Sequence, residues 1–169
     1  VEVKEEGTPE ALAEYLRLVQ ETTKRQGFYA HDEKYQRLMW ETLRLRSGQA
    51  PIARMLIARW QGKVLAVWVV FVFNDVIYYP YGTSSSENRE VMASNLMMWE
   101  VMRLGKRLGC RVLDMWGALG PNPNQHDPWY GFHKFKEGYG GQLVEFVGSW
   151  DLVLKPGWYR LYRIAEELR

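Results

Sequence analysis

Disulfide chemistry and structural metal binding are argued against first by scarcity: the 169 residues include one cysteine, Cys110, and three histidines, His31, His126 and His133. A lone cysteine closes no intrachain disulfide, and histidines so widely separated lack zinc-site spacing, so a reduced, cytoplasmic protein with no structural metal is expected. Long hydrophobic runs are missing too. The longest, Val64 to Phe73, has ten residues, about half of the ~20 that cross a bilayer as a helix. No charged-then-apolar leader precedes it, so no transmembrane or targeting segment is expected. Charge is nearly balanced, with 22 Lys+Arg against 20 Asp+Glu, which is too even to imply a nucleic-acid partner from composition alone. Linkers, internal repeats and low-complexity tracts are absent. The chain starts at Val1 rather than Met and reads as a processed, trimmed or engineered piece.

What is present is an apolar-rich chain, 47% hydrophobic and 25% charged, read as one domain over residues 1–169 that buries on the order of 70% of its unfolded surface. Val1 to Val3 suits a short strand. Thr8 and Pro9 cap a first helix with Leu12, Tyr15, Leu16 and Val19 inside, ended by Gly27. A second helix is expected from about Glu33 to Arg46, stopped by Ser47-Gly48. The period then changes. Arg54 to Trp60, Lys63 to Phe73 and Val76 to Tyr81 are rich in β-branched and aromatic residues and are separated by Gln61-Gly62 and Asn74-Asp75, giving an antiparallel meander. A third helix is expected from about Met92 to Leu108, then a strand from Arg111 to Trp116, a loop from Gly117 to Pro128 and a short helix from Tyr130 to Lys136. A strand from Gln142 to Leu154, interrupted at Gly148, and a final helix from Trp158 to Leu168 complete the pattern. The fold class is α+β, or mixed α/β: a mostly antiparallel central sheet flanked by helices.

The stretch Gly131-Phe132-His133-Lys134-Phe135-Lys136-Glu137-Gly138-Tyr139-Gly140-Gly141 sets a lysine between aromatic rings and ends in a glycine cluster. On spacing alone Lys136 is a surface lysine whose stem lies along apolar surface, and Phe135 is a core aromatic. Arg25, at the end of the first helix, suits the helix dipole. Tyr79 and Tyr81 are two apart on a strand, as are Asp114 and Trp116, so each pair is expected to share a face. Asp114 is open to two roles, orienting a substrate amine or satisfying nearby backbone. The histidines are not assigned as bases, and Cys110 has no His or Asp at motif spacing to make it a nucleophile.

The Phe135-Lys136 stretch resembles a signature of the Fem family, the aminoacyl-tRNA-dependent transferases of peptidoglycan cross-bridges, whose pattern runs roughly Leu-Tyr-x-Phe-Lys-x-Gly-Phe-Gly-Gly. Thr22-Thr23-Lys24-Arg25-Gln26-Gly27-Phe28, Tyr78-Tyr79-Pro80-Tyr81-Gly82-Thr83-Ser84, Asp114-Met115-Trp116-Gly117 and Leu152-Val153-Leu154 match further Fem segments in the same order. The element order is also that of the GCN5-related (GNAT) acyltransferase fold from which each half of a Fem protein is built. The resemblance implies a domain like the second of the two in a Fem protein, with no cofactor and with aminoacyl-tRNA as donor substrate. The implied acceptor is the stem-peptide amine of UDP-MurNAc-pentapeptide or lipid II. It implies that Lys136 stabilises the charge developing in transfer, that Phe135 stacks on a terminal tRNA base, and that Arg25, Tyr79, Tyr81, Asp114 and Trp116 face the acceptor.

Two readings from other classes stand beside it. An acetyl-CoA-dependent acetyltransferase binds pyrophosphate on a Gly-rich turn. The corresponding Ser84 to Met92 here has no glycine and two carboxylates, Glu87 and Glu90, which are expected to repel it. The other is a non-catalytic half-domain whose exposed aromatics meet a second GNAT-like domain or a second copy of itself.

Overall fold

The computed structural model describes residues 1–27, 29–45 and 50–167. Phe28, Arg46, the expected stop at Ser47-Gly48, Gln49, Leu168 and Arg169 lie outside the described residues. After β1 (Glu2–Glu5) come helices α1 (Pro9–Gln26) and α2 (Glu33–Arg44). Thr8 caps α1 by accepting from the Ala11 N–H, with Pro9 in the first turn. Gly27 ends it at φ 70, a left-handed conformation that glycine adopts without a Cβ penalty. Asp32 caps α2 in the same way, accepting from the Tyr35 N–H at 2.8 Å.

The meander follows as β2 (Ala53–Trp60), β3 (Lys63–Phe73) and β4 (Val76–Ser84). Gln61 and Gly62, at φ 49 and 79, form the mirror-image turn whose twist matches that of the flanking strands. Helix α3 (Ala93–Arg107) then crosses back to β5 (Val112–Asp114), with α4 (Tyr130–Glu137) and α5 (Pro156–Glu167) after it. The strands lie in the order β1-β2-β3-β4-β5, all antiparallel except β4 with β5. The parallel pair needs a crossover, and α3 supplies it.

Two cores clothe the sheet. On one face Met97, Met98, Val101 and Leu104 of α3 pack on Leu56, Trp68, Val70 and Ile77; on the other, α1 and α2 bring Leu12, Tyr15, Leu16 and Trp40 against Met55, Ile57, Val67 and Val69.

Three expectations are corrected. The register between β3 and β4 passes from Val69↔Tyr81 to Phe71↔Tyr78, so two residues of β4, Tyr79 and Pro80, oppose the single Val70. This bulge, at a proline with no N–H to give to a ladder, shifts the alternation by one. Tyr79 therefore enters the core under α3, whereas Tyr81 packs with the core under α1, and the two do not share a face. Second, β5 stops at Asp114, and Trp116 stands beyond it at φ 66, so this pair does not share a strand face either. Third, residues 142–154 form no strand; Phe146, Trp150, Leu152 and Leu154 are each 82–86% exposed.

Candidate functional site

The bulged stretch of β4 opens the sheet onto a cavity of about 1140 Å³, walled by the end of α1, the β4–α3 loop, the segment after β5 and one face of α4. Arg25, Tyr79, Tyr81, Trp116 and Phe135 line it; Lys136 and Asp114 are not among the lining residues.

Arg25 marks one end. Its guanidinium donates to the Ser84 carbonyl and to Ser84 Oγ, both at 3.0 Å, so the last turn of α1 fixes a cation beside the end of β4. Burial weakens its hold on the proton, the charge of Arg89 adds to that, and Glu21 opposes both. Glu21 itself is held below the usual carboxylate range, chiefly by its hydrogen bonds from Ser86. The Glu21 carboxylate thereby ties the β4–α3 loop to α1, and Arg25 keeps N–H capacity for an anion.

Lys136 marks the other. It is only 4% exposed; its ammonium donates to the Gly117 carbonyl at 2.6 Å and lies 3.8 Å from the centre of the Phe132 ring and 5.8 Å from that of Tyr79. Burial pushes its pKa down to about 8, against the opposing charge of Asp114. Gly117 and Phe132 both line the cavity, so the ammonium stands one layer behind the wall, dry and partly neutralised by a carbonyl and a ring face. Such a group can both stabilise an oxyanion and give up a proton near pH 8.

Between the two ends the walls are aromatic. Tyr79, 5% exposed, stacks on Trp68 at 4.0 Å between centroids, and burial raises its phenol pKa well above the ordinary value. Phe135 meets Trp68 and Tyr139 edge-on at 6.3 and 5.3 Å, so it is at once a core aromatic and a wall residue. Tyr81 is pushed up to about 12 by burial and by its hydrogen bond with Tyr35. Asp114 Oδ1 accepts from the Trp116 N–H at 2.7 Å, a bond to nearby backbone that sets Trp116 edge-on to Tyr78 and against the cavity. The Cys110 thiol is pushed up by burial and then by Asp75, the wrong direction for a thiolate nucleophile. Among the described residues no cluster of three or more His, Cys, Asp or Glu could hold a metal ion, and no helix is long and apolar enough to cross a membrane.

Sequence reasoning gave no role to Phe132, Gly117, Glu21 or Arg89. Phe132 was within reach, because residues four apart on a helix are neighbours and it stands four before Lys136. Gly117 carries no side-chain signal, and the Glu21–Ser86 contact joins residues 65 apart. The repulsion expected from Glu87 is also weaker than its charge implies, since Lys63 pairs with it at 2.8 Å.

The pattern described as "Acetyltransferase (GNAT) domain" matches residues 1–129. The chain belongs to the GNAT family. Within that family the likeness to Fem proteins stands. This GNAT domain is 33% identical over 92 residues to a lipid II:glycine glycyltransferase of Staphylococcus haemolyticus, a match covering 54% of this chain and 21% of that protein. The enzyme of the same name in Staphylococcus aureus is 32% identical over the same length. The match thus spans about a fifth of the length of these relatives. Among solved structures, FemX superposes with a TM-score of 0.78 at 19% identity over 95% of this chain and 55% of that one. The aminoglycoside 6′-N-acetyltransferase AAC(6′)-IG of Acinetobacter haemolyticus follows at 0.64 and 14%, over 92% of this chain and all of that one. Both confirm the GNAT fold that the element order implied.

Proposed function

We propose that this GNAT domain, as the second domain of a Fem-type transferase, takes part in moving an amino acid from aminoacyl-tRNA to the stem-peptide amine of a peptidoglycan precursor in the cytoplasm. The observation that carries the reading is the buried Lys136 ammonium behind the aromatic wall of the cavity. In the transfer the amine nitrogen attacks the ester carbonyl carbon, the carbon–oxygen bond to the tRNA ribose breaks, and the amine proton ends on the ribose hydroxyl. From one layer behind Phe132 and Gly117 the charge of Lys136 favours the carbonyl oxygen as it becomes an oxyanion, in a site dry enough for that charge to count. Phe135 offers a ring to a terminal base. Arg25 faces the phosphates of UDP-MurNAc-pentapeptide or lipid II, and Tyr79, Tyr81 and Trp116 wall the acceptor. Aminoacyl-tRNA is the donor substrate, and the chemistry calls for no resident cofactor. Transfer of radiolabelled glycine, alanine or serine from charged tRNA to a lysine-containing precursor tests the reading. It should occur with the chain and be lost with Lys136→Met; equal transfer by both would overturn the role given to Lys136.

A second reading, acyl transfer from acetyl-CoA, is favoured by the family description and by the Lys63 partner that neutralises Glu87. Thiol release from acetyl-CoA in the presence of a small amine separates it from the first, which predicts none.

A further inference from the structure

Arg25 and Lys136 account for two parts of the cavity, and a third lies between α1 and the start of α2. There Tyr15 and Gln36, 1% and 2% exposed, line it together with Thr22, Thr23 and Tyr81. A smaller cavity of about 320 Å³ shares Thr23, His31 and Gln36 as wall and continues this lobe beneath the α1–α2 loop. Of the two carboxylates at that outer mouth, Asp32 is occupied as the cap of α2, and Glu33 is paired with Arg37 at 2.7 Å. Among its described walls the lobe therefore offers polar groups, but no unpaired carboxylate and no permanent cation beyond Arg25 at its edge.

Gln36 is the buried polar side chain that this lobe leaves half satisfied. Its Oε1 accepts from the Tyr15 hydroxyl at 2.9 Å. Burial holds that phenol far above its ordinary pKa, so Tyr15 keeps its proton to donate. With Oε1 so engaged, the carboxamide points Nε2 elsewhere, and the two N–H groups there meet no acceptor among the described residues. Nor is Nε2 sealed in packed core, as the unpaired His133 Nδ1 and Tyr139 Oη are. Buried donors are almost always paired, so an unpaired one at a cavity wall marks the place of a ligand oxygen. Tyr81, whose phenol hydrogen-bonds with Tyr35, adds a second neutral hydroxyl to the same lobe.

We propose that Gln36 is a specificity-determining residue whose Nε2 donates to a peptide carbonyl of the acceptor, seating a neutral stretch of peptide backbone in the lobe between α1 and α2. This rests on the reading above, in which the acceptor is an amine borne on a peptide. The chemistry of the lobe selects that class. A carboxylate or phosphate entering it would exchange water for neutral donors alone, a large cost for a charge without a paired cation. An aliphatic amine with no peptide group would leave the Gln36 donors unpaired, and a site built to bond a polar group rejects the analogue that lacks it. A peptide carbonyl satisfies both conditions. Arg25, at the edge of the lobe, is then left for the charged part of the same acceptor.

Binding tests the assignment without any transfer. Two probes are compared by ligand-observed NMR: Nα-acetyl-lysine N-methylamide, with two peptide groups and a side-chain amine, and n-pentylamine, the same side chain with no peptide group. The intact chain should bind the first tighter by roughly tenfold, the scale of one neutral hydrogen bond in a site built for it. In Gln36→Met the preference should vanish through weaker binding of the peptide probe, with n-pentylamine unchanged. That substitution strands the Tyr15 hydroxyl, so Gln36→Met with Tyr15→Phe, which removes both partners, gives the same test in a chain whose core stays satisfied. No preference in the intact chain, or one that survives in the double variant, overturns the proposal. Equal loss of both probes from a folded double variant overturns it too, because Gln36 would then only shape the wall. If the preference held and was lost as expected while charged tRNA gave no transfer, the donor reading would fail and the assignment of Gln36 would stand.

Discussion

The two ends of the cavity carry one cation each and treat it oppositely. Arg25 is held by the oxygens of Ser84, with about a quarter of its side chain in solvent, and stays charged at any working pH. Lys136 is sealed behind Phe132 with a single carbonyl acceptor, and its pKa falls to about 8. A guanidinium at an open rim suits recognition of a group whose charge does not change during reaction. An ammonium in a dry layer suits a charge that exists only in the transition state, because desolvation has been met before the substrate arrives. The difference separates binding from chemistry within one cavity.

The largest expected effect breaks the Lys136 end. Lys136→Met should lower transfer by up to about 10²–10³, the scale of losing one group that stabilises an oxyanion, while leaving the melting temperature unchanged or higher, since an apolar side chain of similar length replaces a buried charge. A variant that loses activity by unfolding would refute this assignment. Next comes the tyrosine between the two ends. A Cβ on Gly82 would lie 1.9 Å from Tyr79 Oη, so Gly82→Ala must push Tyr79 off Trp68, at a cost of about 1–3 kcal/mol in denaturant unfolding for an overpacked site. Smaller still, Arg25→Lys keeps the charge but not the fork that grips Ser84. It should raise KM for the acceptor by about tenfold with kcat nearly unchanged; a fall in kcat alone would move Arg25 to the chemical end.

The contrast also marks what the residue string made legible. Helices α1, α2 and α3 and the meander follow from caps, turns and periodicity, all local signals. The relation of Tyr79 to Tyr81 was misread, because strict alternation takes no account of a bulge. Pro80 was the available sign, since it cannot donate to a ladder. Arg25 and Lys136 were found through a family pattern, yet the burial of Lys136 depends on Gly117, 19 residues away, and no spacing rule reaches that far. The strand expected at 142–154 failed for a different reason. Its pattern is right, but a strand exists only with a partner edge, and pairing is a property of tertiary or quaternary structure rather than of the segment.

The smallest effect sharpens the comparison with a sign. For Lys136 the folded-state pKa, about 8, lies below the ordinary 10.5, so between those values the unfolded chain binds more protons and stability must rise with pH. Tyr15 and Tyr79 act the other way, because burial holds their phenols above 10.0; the stability they contribute is lost as pH climbs past 10, and the clean window is pH 8–10. Urea midpoints measured across it should climb for the chain relative to Lys136→Met, the difference removing Cys110, the tyrosines and every other shared group. Arg25→Lys, at the open end, should climb in parallel with the parent. If the parent and Lys136→Met ran parallel instead, the lysine would be as wet as the arginine, and the division of the cavity into a binding end and a chemical end would fail with it.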